Sequence, residues 1–323
     1  MNYKVEIVNQ EDNDIRLDRW FQRYYKHVGK GLVDKLARKG AIRLDGKRCK
    51  GNSRILAGQE LRIPPAILNA EAPKEDDKPL ASTADIKQIR SCIIHEDRFI
   101  YVVNKPQGLA SQGGSGISRS LDAIMSVIAE EDGCTAHLIH RLDKDTSGVM
   151  IIAKSPQIAA KLSKELKEHH VQKVYLALLK GCPRPIEGEI DLPLRKKGKL
   201  GEQKVVIDYE TGQRAISQYQ MLDNAGSQFS LVALSPLTGR THQLRVHAIE
   251  GLQRPIIGDG KYGGQEAFVE GIAKKLHLHA WQLRFRHPGS GEEVTYIAPV
   301  SDMMQKSLET IGLNVPDSEL SSK

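Results

Sequence analysis

Cysteine is scarce in this chain. Its four cysteines, Cys49, Cys92, Cys134 and Cys182, lie far apart and form no Cys-x-x-Cys pair. That spacing argues against a zinc ribbon and a disulfide framework, and it fits idle thiols in a cytoplasmic protein. Long apolar runs are also missing. No stretch approaches the ~18 residues of a membrane span, and the charged N-terminus does not read as a secretory signal. Neither Gly-x-x-x-x-Gly-Lys-Ser/Thr nor Gly-x-Gly-x-x-Gly ahead of a helix occurs. The cluster Gly113-Gly114-Ser115-Gly116 therefore reads as a mobile loop near a site, not a phosphate cradle.

Charge is plentiful and unevenly placed. Residues 1–64 hold 15 Lys and Arg against 8 Asp and Glu, which accounts for the whole net charge of +7. At 323 residues the chain is long enough for two domains, and this asymmetry suggests a polyanion-binding module joined to something else. Leu17, Trp20, Phe21 and Tyr24 follow the i, i+3, i+4, i+7 spacing of one helix face. Leu32, Val33 and Leu36 mark a second helix stopped at Gly40, with Lys35, Arg38 and Lys39 on its exposed side. A strand at Ala41-Ile42-Arg43-Leu44, a tight turn at Asp45-Gly46 and more strand at residues 55–63 complete the module. Residues 65–91 carry prolines and an acidic run without periodicity, and read as a linker. A new core starts at residue 92 and extends to 312, leaving 313–323 as a flexible tail.

Within that core the densest polar stretch is His140-Arg141-Leu142-Asp143-Lys144-Asp145-Thr146-Ser147-Gly148, followed by the apolar strand Val149-Met150-Ile151-Ile152. Packing requires no such concentration of polar groups, whereas catalytic loops held by strands often show one. Asp145-Thr146-Ser147-Gly148 suits an Asx or Ser/Thr turn. An aspartic-protease reading of those residues needs a second carboxylate loop, and the chain has no second copy. Asp143 lies between Arg141 and Lys144, which favours an ionised carboxylate. Spacing alone leaves a structural ion pair and a nucleophile or base equally open for it. His242 and His247, five apart, lack the spacing and companions of a metal site, so no metal is expected.

The string His-Arg-Leu-Asp-x-x-Thr-Ser-Gly resembles the signature of RluA-type pseudouridine synthases. Further segments agree in order: Asn104-Lys105-Pro106-Gln107-Gly108, Lys173-Val174-Tyr175-Leu176-Ala177, Gly239-Arg240-Thr241-His242-Gln243-Leu244-Arg245-Val246-His247, and Pro255 through Gly263. Residues 16–63, including Arg38-Lys39-Gly40-Ala41-Ile42-Arg43-Leu44-Asp45-Gly46-Lys47, resemble an S4 RNA-binding domain. The resemblance implies an α+β protein: a small S4-like domain at 1–64 and a catalytic domain on a mixed, largely antiparallel bipartite sheet. It also implies isomerisation of uridine to pseudouridine in 23S large-subunit ribosomal RNA, without cofactor or membrane, by a cytoplasmic monomer. Asp143 takes the catalytic role, Arg245 that of its ion-pair partner, and Tyr175 that of an active-site tyrosine. Arg141, Arg240 and Gln243 fall to RNA, as do Lys35, Arg38, Lys39 and Arg43. On the residues alone Tyr175 reads first as a core tyrosine with its hydroxyl tied off, and His277 and His279 read as structural. The contrasting readings are an S4-tethered RNA-binding protein without catalysis and a sibling pseudouridine synthase acting on other rRNA or tRNA uridines.

Overall fold

The computed structural model describes residues 3–25, 27–70, 81–113, 119–198 and 203–320. The chain divides into two compact units, Met1–Pro79 and Leu80–Lys323. In the first, β1 (Lys4–Ile7) precedes β2 (Ile15–Arg16), α1 (Leu17–Tyr24) and α2 (Lys30–Arg38). Then come β3 (Arg43–Leu44), β4 (Lys47–Arg48), β5 (Arg54–Ile55), β6 (Glu60–Ile63) and a single helical turn, α3 (Pro65–Leu68). Three of the four residues of the apolar face read from the sequence are buried: Leu17, Trp20 and Phe21 pack with Val33, Ala37, Ile42, Leu61 and Ile63, whereas Tyr24 is exposed and donates its hydroxyl to Asp12. Asp45 and Gly46 have φ of 47° and 72°, the pair of positive values that a two-residue hairpin turn demands. The four strands β1-β6-β3-β4 form an antiparallel sheet in that order.

The second unit opens with α4 (Thr83–Ser91), β7 (Ile93–Glu96), β8 (Ile100–Lys105) and α5 (Leu121–Glu131). Next are β9 (His137–Leu138), β10 (Ser147–Ala153), α6 (Pro156–Lys167), β11 (Gln172–Lys180) and β12 (Glu187–Asp191). A hairpin, β13 (Leu194–Lys197) and β14 (Lys204–Ile207), leads to β15 (Ile216–Ala225) and β16 (Phe229–Pro236). A short helix α7 (Gln243–Val246) is followed by β17 (Leu278–Arg286), β18 (Glu293–Ile297) and α8 (Asp302–Ile311). Ten strands join in one sheet, ordered β12-β15-β16-β11-β17-β10-β8-β7, with β18 beside β17 and β9 beside β10. Every pairing is antiparallel except β10 with β17, which matches only Ser147 to His279 and Gly148 to Ala280. Further along, β9 takes the edge of β10 and β18 that of β17. The sheet is therefore bipartite, two antiparallel halves joined by a two-residue parallel seam. Gly148 sits in the seam at φ 117°, and a Cβ there would lie 2.1 Å from the Ala280 carbonyl oxygen. No other residue fits.

Two segments differ from the sequence reading. The expected linker 65–91 contains α3 and the nine-residue α4, which starts at a reciprocal Ser82–Asp85 capping box and buries Ile89 in the second unit. Its exposed faces are so polar that two isoleucines gave too little periodicity to find it. Residues 71–80, the proline and acidic run, lie outside the described residues, as do Gly114 to Gly116 of the expected mobile loop. The expected tail at 313–323 is docked as far as residue 320. Leu313 is buried, and the Gln282 side chain bonds both the N–H and the carbonyl of Leu320 at 2.8 Å.

Three imidazoles are locked neutral inside this unit. Burial pushes His140 down to about 3, and His247 and His279 down to about 4. The unfolded chain takes up protons below about 6.5 that these rings refuse when folded, so stability is complete above that pH and is lost on acidification. Each ring contributes up to about 1.4 kcal/mol per pH unit. Urea unfolding should show a midpoint that drops clearly between pH 7 and pH 5. An unchanged midpoint would mean the three rings titrate as freely folded as unfolded.

Candidate active site

The loop between β9 and β10 is held from beneath by the segment that follows β8. The Ser111 hydroxyl accepts the Leu142 N–H at 3.0 Å and donates to the Leu142 carbonyl at 2.6 Å. The Lys144 carbonyl accepts from Gly108 N–H at 2.9 Å, and the Asp145 carbonyl from the Gln107 amide at 2.8 Å. Lys105 is fully buried, its ammonium bonded to the carbonyls of Leu109, Pro106 and Lys144 at 2.8, 3.0 and 3.3 Å. Burial pushes that ammonium down to about 8, although Asp145 and Asp143 pull the other way. Asn-Lys-Pro-x-Gly thus works as a strut under the loop, a role the sequence reading did not assign. The signal was available: a lysine ending a strand of buried apolar residues must find oxygen partners indoors. On the other side, His140 Nε2 accepts the Ile151 N–H at 3.1 Å, which ties the loop's start to β10.

So braced, the loop presents Asp143 where two cavities of about 510 and 620 Å³ meet, a size that suits small ligands. Arg141, Asp143, His242 and Arg245 line both. The Asp143 side chain is 30% exposed, and among the described residues no hydrogen bond reaches its carboxylate. Its one ion-pair contact there is His242 Nε2, 3.7 Å from Oδ2. Tyr175 shares the first cavity. It pairs with Ala280 of β17, which in turn pairs with Gly148 of β10, so it stands two strands across the seam from the end of the Asp143 loop. At strand spacing that is roughly 10 Å between backbones, and both side chains line the one cavity. Burial first, then the charge of Asp143, pushes the Tyr175 hydroxyl above its ordinary value and keeps it protonated. Lys173, two residues earlier on the same face, also lines this cavity, with its ammonium pushed down by burial.

Three expected site residues are committed elsewhere. Arg245 does not pair with Asp143. Its Nε and Nη2 donate to the two oxygens of buried Asp259 at 2.8 and 2.6 Å, and its guanidinium lies 5.1 Å from the Tyr262 ring centre. A bidentate carboxylate in a dry site is the better match for a planar fork, and Asp143 acts on Arg245 only at longer range. Gln243 is not free for RNA. Its oxygen accepts from Thr238 and the Arg240 N–H, and its amide donates to Ile216 and Ser217, so its four positions are filled. Arg43, in the first unit, donates to the Gly40 and Gly46 carbonyls and braces its own hairpin. Arg141 is exposed, and Arg240 is exposed with one bond to the Arg214 carbonyl. Lys35, Arg38 and Lys39 are exposed on α2, as read. His277 and His279 are buried and bonded, His277 to Ser307 and His279 to Ser147 and the Ala298 carbonyl.

Residues 99–250 match the family model described as RNA pseudouridylate synthase. The chain is 32% identical over 314 residues to "Ribosomal large subunit pseudouridine synthase C" of Salmonella typhimurium, covering 95% of this chain and 96% of that one, and equally so to the Escherichia coli K12 protein of that name. The Buchnera aphidicola protein of the same name is 31% identical and covered in full. Among solved structures, "Human RNA Pseudouridylate Synthase Domain Containing 4" superposes with a TM-score of 0.61 at 29% identity, over 72% of this chain and 97% of that one. "Human RNA Pseudouridylate Synthase Domain Containing 1" gives 0.53 at 26% identity, over 70% and 96%. With a seamed bipartite sheet, a strut-braced loop and this likeness along nearly its whole length, the chain belongs to the RluA-type family of RNA pseudouridine synthases.

Proposed function

We propose that this protein isomerises uridines of 23S large-subunit ribosomal RNA, acting in the cytoplasm as a monomer, with Asp143 as the reacting carboxylate. The carrying observation is the state of Asp143: held rigid through its backbone, open to two cavities, and free of hydrogen bonds at its oxygens. Among the described residues no helix is long and apolar enough to cross a membrane.

The reaction breaks the C1′–N1 bond, turns the uracil and joins C5 to C1′, with the C5 proton lost and a proton gained at N1. No electrons are exchanged with an outside partner. The carboxylate of Asp143 attacks the nucleotide or removes the ribose 2′ hydrogen, and both routes need it ionised and fixed. The target base leaves its stack to reach the cavity, and exposed Arg141 on the same loop can fill the gap with its planar cation. Tyr175, held protonated, donates to the base, and accepts the C5 proton only by passing its own on, through water. The second cavity carries Lys144, Lys261, Lys274 and Lys275 with Asp143 and Asp145 as its acidic lining, which suits the phosphates beside the target. Residues 1–64 serve as an S4-like module that holds RNA through phosphate contacts.

Asp143→Asn should abolish tritium release from [5-³H]uridine-labelled rRNA while leaving RNA affinity near wild type. Activity within tenfold of wild type, about 1.4 kcal/mol of barrier, would overturn the assignment; a wild-type protein that binds rRNA and releases no tritium would support the binding-only reading instead.

Tyr175→Phe keeps the ring and loses the hydroxyl. It should slow a step after C1′–N1 cleavage more than it weakens binding, read by single-turnover kinetics against dissociation constants. Unfolding at the wild-type growth temperature would make it a packing residue.

Changing Lys35, Arg38 and Lys39 together to Ala should lower the slope of log K against log salt by ~2–3. Single-turnover rates at saturating RNA should stay near wild type. An unchanged slope would leave the charge of α2 without an RNA role.

A further inference from the structure

We infer that His242, oriented by Tyr262, is the positioning residue for Asp143, the task that the family likeness gives to Arg245. This rests on the reading of Asp143 as the reacting carboxylate. The first ground is availability. Arg245 has two donors on Asp259 and lies against the Tyr262 ring, whereas His242 Nε2 stands 3.7 Å from Asp143 Oδ2. That gap is longer than a hydrogen bond by less than 1 Å, and such bonds in empty sites shorten when substrate arrives.

The second ground is the direction of the imidazole proton. The Tyr262 oxygen accepts the Val205 N–H at 3.1 Å and lies 2.6 Å from His242 Nδ1. With an N–H already directed at that oxygen, the phenol's own proton points to Nδ1. Nδ1 therefore accepts, and a neutral ring carries its proton on Nε2, facing Asp143. The rings of His242 and Tyr262 meet edge to face, 5.5 Å between centres. Burial lowers the His242 pKa, and of the charges around it Asp143 and Asp259 oppose that fall while Arg245 and Lys261 add to it.

The third ground is the backbone. His242 has φ 53°, a left-handed conformation that is costly for a residue with a Cβ and persists where its surroundings hold it. Those surroundings are visible: the next residue, Gln243, is pinned by four hydrogen bonds, and the His242 carbonyl accepts Val246 N–H at 3.1 Å. The strain aims the ring between Tyr262 and Asp143. Chemically, one neutral N–H on Oδ2 fixes the carboxylate and leaves Oδ1 for the ribose. A guanidinium fork would occupy both oxygens and blunt their basicity. Asp259 absorbs that fork, so the diversion of Arg245 and the placement of His242 belong to one arrangement.

The test is single-turnover kinetics and RNA binding on the full-length protein carrying His242→Ala, Tyr262→Phe, or both. His242→Ala should lower the saturating rate on the order of 100-fold with an unchanged dissociation constant, and added imidazole should restore part of it. Tyr262→Phe alone should cost about tenfold through loss of the tautomer, and nothing further in the His242→Ala background. Should His242→Ala fail to fold, His242→Gln, which keeps a donor near Nε2, replaces it. That variant should stay within about tenfold of wild type and no longer respond to Tyr262→Phe. A wild-type rate in His242→Ala, a His242→Gln protein that still slows when Tyr262 becomes Phe, or losses that simply add in the double variant overturn the inference. Wild-type protein that makes no pseudouridine, or full activity in Asp143→Asn, overturns the underlying reading, a result distinct from either.

Discussion

The two-residue parallel seam between β10 and β17 is the constraint on which the rest depends. It can form only because Gly148 lacks a Cβ and has φ 117° against the Ala280 backbone. Through it pass the two things a site needs. The loop bearing Asp143 ends at Ser147, in the seam itself, and Tyr175 pairs with Ala280, the seam partner of Gly148. Ser147 is also bonded across the seam to buried His279, which holds the Ala298 carbonyl on its other nitrogen. A narrow join between two well-packed halves leaves a cleft at its end without any insertion to make one.

Around that cleft the protein pairs Lys105 and Arg245 fully enough to bury them and leaves the Asp143 carboxylate without a hydrogen bond among the described residues. Lys105 gives its three protons to three carbonyls. Arg245 and Asp259 close on each other bidentately. Burying such groups costs several kcal/mol each, and only complete pairing offsets it. The return is rigidity: the backbone on both sides of Asp143 is bonded, while its oxygens stay open. Orientation without neutralisation is the condition for a carboxylate that must react with a ribose. His140 belongs to the same arrangement, since its Nε2 can accept the Ile151 N–H only while the ring is unprotonated.

The sequence by itself determined what depends on near neighbours. Apolar residues three and four apart set the faces of α1 and α2, and Asp45-Gly46 set a hairpin, because i, i+3, i+4 and two-residue contacts exist before any tertiary fold. The clustering of polar groups at residues 140–148 likewise marked the loop that carries Asp143. Tertiary structure decided which partner each polar side chain took. Arg245 had two candidate carboxylates, Asp143 and Asp259, and took the buried bidentate one. Gln243 and Arg43 read as free and were spent on backbone groups and side chains far along the chain or across a turn. Helix α4 depended on a cap and one buried isoleucine, Ile89, whose value appears only once a core lies beneath it. Hydrogen-bond partners are chosen by distance and desolvation, both of which are properties of the folded chain and not of the order of its residues.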